Sequence, residues 1–196
     1  MADGPRLVGL TGGIGAGKSE ALAALERLGA ATLSTDAVVH ELLTSDDVRD
    51  ELVARWGDEV APDGAVDRAA VARVVFERPE EREWLQGVLW PRVGERMVQW
   101  RAELDRADPP PRAAVVEVPL LFESGMEAVF DKTVAVIADE ELRAERAGSR
   151  GHEGLEGRTS AQLSQEEKSQ RADFTIRNDG TLQELEGKLS ELLDSL

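Results

Sequence analysis

The 196-residue chain contains no cysteine, which excludes a disulfide framework and thiolate metal sites and leaves the compartment undecided on that ground. It also lacks any apolar run of the roughly 18 residues a membrane-spanning helix requires, so no membrane association is expected. The opening Met1-Ala2-Asp3-Gly4-Pro5 is short and acidic rather than a basic leader with a long apolar stretch, and the expected location is the cytoplasm. Surplus positive charge is missing too. With 23 Lys and Arg against 39 Asp and Glu, the formal net charge is -16, which argues against nucleic acid as a bulk partner, because phosphate backbones are bound by excess Lys and Arg. An anionic ligand must then be met by local cations. Asparagine occurs only as Asn178, so the Asn-Lys-x-Asp guanine reader of switch GTPases is absent. No internal repeat and no low-complexity tail is found.

What is present is concentrated in residues 12–19, Gly-Gly-Ile-Gly-Ala-Gly-Lys-Ser, directly after the apolar run Leu7, Val8, Gly9, Leu10. This is a G-x-x-x-x-G-K-[ST] phosphate cradle at the place where a strand would turn into a helix. A loop that wraps a polyphosphate turns its own N–H groups inward, which demands backbone angles and close approach that glycine tolerates cheaply. Gly12, Gly13, Gly15 and Gly17 supply that freedom, and the cradle Gly13, Ile14, Gly15, Ala16, Gly17, Lys18, Ser19 and Glu20 is the expected ATP site. Lys18 would reach the β and γ phosphates, the Ser19 hydroxyl would ligate Mg²⁺, and the helix opening near Gly17 would point its positive end at the anion.

The 41% hydrophobic content permits a packed core, and the pattern alternates strands with helices. Strands are predicted at about residues 6–10, at Ala30 to Ser34, Ala113 to Val118, Thr133 to Ile137 and Phe174 to Ile176. A helix is predicted from about Gly17 to Leu28, ended by Gly29, and another holding Val38, Val39, Leu42 and Leu43. Between Ser45 and Ala107 only helices are expected, with Pro91 breaking the last stretch and opening a new helix. Ala-Asp-Pro-Pro-Pro-Arg at 107–112 reads as a stiff linker. The fold class is therefore α/β: three layers, with a mostly parallel five-stranded sheet covered on both faces. The expected organisation is a nucleotide-binding core of residues 1–44 and 108–196, with a short lid at about 140–165, and a helical insertion at 45–107. Ligands bind at the carboxyl ends of such strands, where Gly13, Asp36 and Glu117 all fall.

Transporter and motor ATPases need longer chains and further signature segments, which leaves a small-molecule kinase, whose needs are an in-line acceptor, a group that receives the acceptor proton, and cations over the transferring phosphoryl group. Asp36, at the end of the neighbouring strand, suits the second need, and would equally serve with Ser34 and Thr35 as a helix N-cap. Cations come from Arg143, Arg146 and Arg150, which recur at helical spacing and with Arg158 occupy a segment rich in Gly148, Gly151, Gly154 and Gly157. One face of that helix would close over the phosphates, guanidinium being a bidentate phosphate partner that stays charged. The other reading is a solvated face neutralised by residues such as Glu141 and Glu145.

The string Gly9-Leu10-Thr11-Gly12-Gly13-Ile14-Gly15-Ala16-Gly17-Lys18-Ser19 resembles the opening of dephospho-CoA kinases. The resemblance continues in Thr35-Asp36-Ala37 with His40-Glu41-Leu42, in Asp63-Gly64, Val66-Asp67-Arg68 and Phe76, and in Glu117-Val118-Pro119-Leu120-Leu121-Phe122-Glu123-Ser124-Gly125, the most distinctive segment. Gln162, Glu167-Lys168, Ala172-Asp173 and Asn178-Asp179-Gly180 complete the order. The resemblance implies a three-layer P-loop kinase fold in which the insertion at 45–107 binds the acceptor, and transfer of the ATP γ-phosphate to the ribose 3'-hydroxyl of dephospho-CoA, the last step of coenzyme A biosynthesis. It implies Asp36, Lys18 and Arg146 as catalytic residues, and Asp36, His40, Glu117 and Leu121 at the acceptor. Arg150, Asn178 and Gly180 would complete the ATP site, with Asn178 to Gly180 beside the adenine, although Asn-Asp-Gly also forms a turn readily. Mg²⁺ on Ser19, ATP and dephospho-CoA as partners, and a monomer or weak homo-oligomer are the corresponding expectations. Three residues depart from the family pattern: Glu20 where Thr is usual, Trp90 before Pro91 where His is frequent, and Arg143 where Gln is common. A kinase for another small alcohol or nucleotide, and a regulatory protein that binds nucleotide without transfer, remain the alternatives.

Overall fold

Along the first strand Val8 and Leu10 point to one face and Gly9 and Thr11 to the other, and all four are buried, so both faces must be covered. The computed structural model describes residues 4–149 and 162–196. In it, β1 (Leu7–Gly12) is the central strand of a five-stranded sheet, with β2 (Ala31–Ser34), β3 (Ala114–Glu117), β4 (Lys132–Ile137) and β5 (Phe174–Arg177) in the order β2-β3-β1-β4-β5. Every pairing is parallel. The ladder between β1 and β3 runs from Leu7 opposite Ala114 to Leu10 opposite Glu117. The helices are α1 (Lys18–Arg27), α2 (Thr35–Leu42), α3 (Asp46–Trp56), α4 (Arg68–Glu77), α5 (Pro79–Leu104), α6 (Glu140–Ser149), α7 (Gln165–Arg171) and α8 (Leu182–Ser195).

Two compact units are distinguished: Met1–Ser34 together with Arg101–Leu196, and Thr35–Trp100. The first contains the whole sheet. One sheet face carries Val8, Leu10, Val115, Val134 and Val136, against which α1 sets Ala21, Ala24 and Leu25 and α8 sets Leu185, Leu189, Leu192 and Leu193. Each fully buried Leu or Val in this cluster is worth about 1.5–3 kcal/mol relative to exposure. Both α7 and α8 begin with a reciprocal capping box, Ser164 with Glu167 and Thr181 with Glu184, which fixes where each helix starts. The short α7 lies against β4 and β1, so that Thr11 faces it.

The second unit is helical, with no strand among its residues, and has its own core of Leu43, Val48, Leu52, Val60, Ala70, Val71 and Leu89. Asp67 caps α4 by accepting from the Ala69 and Ala70 N–H groups at 2.9 and 3.3 Å. Trp56 and Trp84 meet edge to face at 5.1 Å, and the Trp56 indole donates to Glu81 at 2.8 Å. These two tryptophans are therefore committed to packing. This unit includes α2, so its boundary falls at Thr35 rather than at the expected 45.

Pro91 does not break the chain into two helices, contrary to expectation: α5 is continuous and Pro91 lies inside it. An interior proline forfeits the bond to the carbonyl four residues back, here Gly87, and crowds it. Both Gly87 and Pro91 are exposed, so water can take the freed carbonyl, and Gly87 has open space around it. It is Pro79 that occupies the first turn of a helix. No helix among the described residues is long and apolar enough to cross a membrane.

Candidate active site

The carboxyl ends of the parallel strands carry most of the motif residues, because the loops leaving β1, β3, β4 and β5 emerge on one edge of the sheet. After β1 the chain turns through the cradle and enters α1 with Gly17 at the N-cap position in the left-handed region, φ 89°. A Cβ at Gly17 would sit 2.1 Å from Asn178 Nδ2, and one at Gly15, φ 75°, would sit 2.4 Å from the Arg143 carbonyl oxygen. Neither position admits a side chain, so these glycines are demanded by close approach as well as by backbone angle. Lys18 Nζ donates to the Gly13 carbonyl at 3.0 Å, so the lysine folds over its own loop. Ser19 and Glu20 are exposed in the first turn of α1, where the unsatisfied N–H groups of the helix start favour an anion.

Two residues from distant segments grip this loop. Asn178, just past β5 and buried, donates through its amide to the Ala16 carbonyl at 3.0 Å, while its own N–H donates to Ile137 at the end of β4. Arg143, on α6, donates through Nε to the Ile14 carbonyl at 3.0 Å and is paired with Glu140 at 2.7 Å. Arg146, one helical turn on, donates to the Asn178 carbonyl at 3.1 Å. Gln165 ties α7 to the end of β4 with both amide atoms on Ala138, at 3.1 and 2.9 Å. The Arg177 guanidinium and the Asp139 N–H hold the Asp179 carboxyl below the ordinary carboxylate range, so the Asn178–Gly180 turn is pinned to β4 as an anion. Gly180 leaves room for the Glu184 carboxylate of the α8 capping box.

Beside the cradle lies a cavity of about 220 Å³ lined in part by Glu20, Arg146, Asn178, Gly180, Leu182 and Leu185. It is smaller than the roughly 300–1,000 Å³ that encloses a drug-sized ligand and mixes apolar walls with two guanidinium groups, those of Arg27 and Arg146. At the end of β3, the buried Glu117 accepts from the Ser34 hydroxyl at 2.9 Å, which joins the ends of β3 and β2. Leu121 is fully buried. In the helical unit, Asp36 lies exposed in the first turn of α2, and His40 is exposed in its last turn. Arg150 and Arg158 lie outside the described residues, as does much of the expected lid.

The structure thus brings Gly13, Ile14, Gly15, Ala16, Lys18, Arg146 and Asn178 together in one unit. Sequence reasoning offered Ser34 only as a helix cap and not as the partner of Glu117, and it placed Arg143 over the phosphates rather than on the cradle carbonyl. It also missed the set that the buried Thr11 and Lys168 form with the part-buried Glu123, although all three stand in family strings. Among the described residues no group of three or more His, Cys, Asp or Glu could hold a metal ion. A magnesium ion keeps several waters and shares phosphate oxygens, so one bound with a nucleotide does not require an all-protein cage.

A family model for dephospho-CoA kinase matches residues 6–184. The dephospho-CoA kinase of Symbiobacterium thermophilum is 40% identical over 183 residues, spanning 90% of this chain and 75% of the relative. That of Protochlamydia amoebophila is 35% identical over 196 residues, spanning 97% and 96%. Among solved structures, TT1252 from Thermus thermophilus matches with a TM-score of 0.82 at 34% identity over 99% of both chains. The dephospho-CoA kinase from Campylobacter jejuni matches with a TM-score of 0.66 at 23% identity over 97% of this chain and 96% of its own, a likeness of fold. With the cradle, the parallel sheet and a match across nearly its whole length in agreement, the chain belongs to the dephospho-CoA kinase family.

Proposed function

We propose that this chain transfers the γ-phosphate of ATP to the 3'-hydroxyl of the dephospho-CoA ribose, giving coenzyme A and ADP. The observation that carries the reading is the glycine cradle closed by Asn178 and Arg143 in a chain matched to this family over residues 6–184. In the reaction the ribose oxygen bonds to the γ phosphorus, the bond to the β–γ bridging oxygen breaks, and the ribose proton passes to Asp36. Asp36 immediately follows Thr35, the first residue of α2, and the resemblance of Thr35-Asp36-Ala37 to the family motif supports this role. Lys18 and Arg146 neutralise the charge of the migrating group, and main-chain N–H groups from Gly13 to Ser19 hold the β phosphate. Mg²⁺ supplies charge neutralisation on the phosphate oxygens when bound, and Ser19 is the residue that would hold it. His40, Glu117 and Leu121 are assigned to the acceptor side, and Gly180 to the adenine side. Residues 45–107 supply acceptor binding. The reaction is placed in the cytoplasm, and the enzyme is proposed to work as a monomer or weak homo-oligomer.

The test is an acceptor panel with purified protein, ATP and Mg²⁺, in which the product is identified by mass and by the position of the new phosphate. Dephospho-CoA is expected to be preferred, with a 3'-phosphate as product. Preference for adenosine or shikimate rejects the assignment in favour of a kinase for another alcohol, and binding of ATP without transfer to any acceptor favours a regulatory role.

A further inference from the structure

Lys168 is the largest side chain among the described residues with no solvent exposure, and lysine is almost never fully buried unless it is paired. It projects from α7, whose other residues are polar and mostly solvated. Its three N–H donors find three acceptors: the Pro119 carbonyl at 2.6 Å, Glu123 Oε1 at 3.0 Å and Thr11 Oγ1 at 3.5 Å. The Thr11 hydroxyl itself donates to the Pro119 carbonyl at 3.3 Å, and Glu123 Oε1 also accepts from the Leu163 N–H at 2.8 Å. Burial pushes the Lys168 ammonium below the ordinary lysine range against the pull of Glu123. The second Glu123 oxygen is buried with no hydrogen-bond partner among the described residues. An ion pair with that residual cost is weak evidence for stability, since apolar residues of similar volume are often as good or better.

Its position suggests another use. The β1–β3 ladder ends at Leu10 opposite Glu117, with one further bond from the Val118 N–H to the Leu10 carbonyl at 2.9 Å. Beyond that point the two chains separate, β1 into the cradle and β3 into the Pro119–Glu123 segment. Lys168 bonds to both immediately after they part. We propose that Lys168 is a positioning residue that holds the entry to the cradle, at Thr11, in register with the segment leaving β3, and so serves phosphoryl transfer without touching either substrate. The proposal uses the dephospho-CoA kinase reading only for its activity assay.

The test compares Lys168→Met with the double variant Lys168→Met/Glu123→Gln. The single variant strands a buried carboxylate and is expected to melt about 10 °C lower or more. The double variant removes both charges and is expected to recover most of that loss. In the double variant kcat is expected to stay roughly tenfold to a hundredfold below wild type, with the KM for ATP and for dephospho-CoA each within about threefold of wild type, the pattern of an interaction that matters in the transition state. A double variant with restored melting temperature and wild-type kcat overturns the proposal, because the lysine would then serve folding alone. If the double variant does not fold, Thr11→Val, which removes one hydroxyl from the network, carries the same comparison: several-fold lower kcat at unchanged KM supports the proposal, and wild-type kcat overturns it. Amide hydrogen exchange gives a readout independent of acceptor. Protection at residues 10–13 and 119–123 is expected to fall together in whichever of these variants folds, and unchanged exchange in both segments overturns the proposal. Wild-type protein inactive on dephospho-CoA would count against the functional reading and leave the exchange result to decide this one.

Discussion

Replacing Asn178 by alanine separates two roles that its position allows. In the structure its amide is spent on the Ala16 carbonyl at 3.0 Å, inside the loop that receives the phosphates, and the side chain is buried. Deleting it leaves that carbonyl without its partner, a loss of about 1–3 kcal/mol. For a chain of this length about 2–4 °C of melting temperature accompanies each kcal/mol, so a fall of roughly 2–12 °C is expected. Loosening of the loop at Ala16 and Gly17 should weaken phosphate binding on the order of tenfold, equivalent to about 1.4 kcal/mol. Calorimetric titration with ATP and, separately, with inorganic tripolyphosphate distinguishes the cradle from the base. If Asn178 shapes the cradle, Asn178→Ala weakens both ligands by similar factors. If ATP weakens while tripolyphosphate binds as in wild type, the side chain acts on the adenine and the reasoning from the Ala16 bond is refuted.

Asp36→Asn is expected to lower kcat by about 10² or more while ATP affinity survives, because it removes the group proposed to receive the ribose proton; unchanged turnover would return Asp36 to a helix-start role. Lys18→Ala should lower both ATP affinity and rate, read by titration and steady-state kinetics, and wild-type values for both would contradict the cradle assignment. In the helical unit, hydrogen bonds from Arg55 and then Trp56 hold the Glu81 carboxyl below its ordinary value of about 4.5. A carboxylate depressed in the folded state contributes stability above its unfolded value and loses it as the pH falls through the folded one. The melting-temperature advantage of wild type over Glu81→Gln should therefore be full near neutrality and close progressively below about pH 4.5; a gap independent of pH refutes the assignment.

The difference between what could and could not be read from the residues follows the distance over which each feature is encoded. The cradle is written within residues 12–19, and each strand within four to six residues, so glycine angles and buried apolar runs disclose them locally. Pro91 misled because a proline inside a helix and one opening a helix look alike from the chain; exposure of Gly87 and Pro91 decides between them. The bonds that hold the cradle leave no such local trace. Asn178 meets Ala16 across 162 residues and Arg143 meets Ile14 across 129. From sequence, Asn178 reads as an adenine-side or turn residue and Arg143 as a cation over the phosphates or on a solvated face, and neither reading places it on a cradle carbonyl. Lys168 is the sharpest case, since Gln-Glu-Glu-Lys-Ser-Gln-Arg has no apolar face at all, and burial of its one lysine is imposed by three acceptors from two other segments. An electrostatic contact of this kind has no period and no composition. What makes it inferable is chemical consistency after folding: three donors with three acceptors, at the point where two adjacent segments leave the sheet. The same criterion separates Lys168 from Arg49, whose bonds to Asp46 and Asp50 at 2.6 and 2.8 Å lie within its own helix and whose further bond to the Gly64 carbonyl at 3.4 Å reaches no segment leaving the sheet.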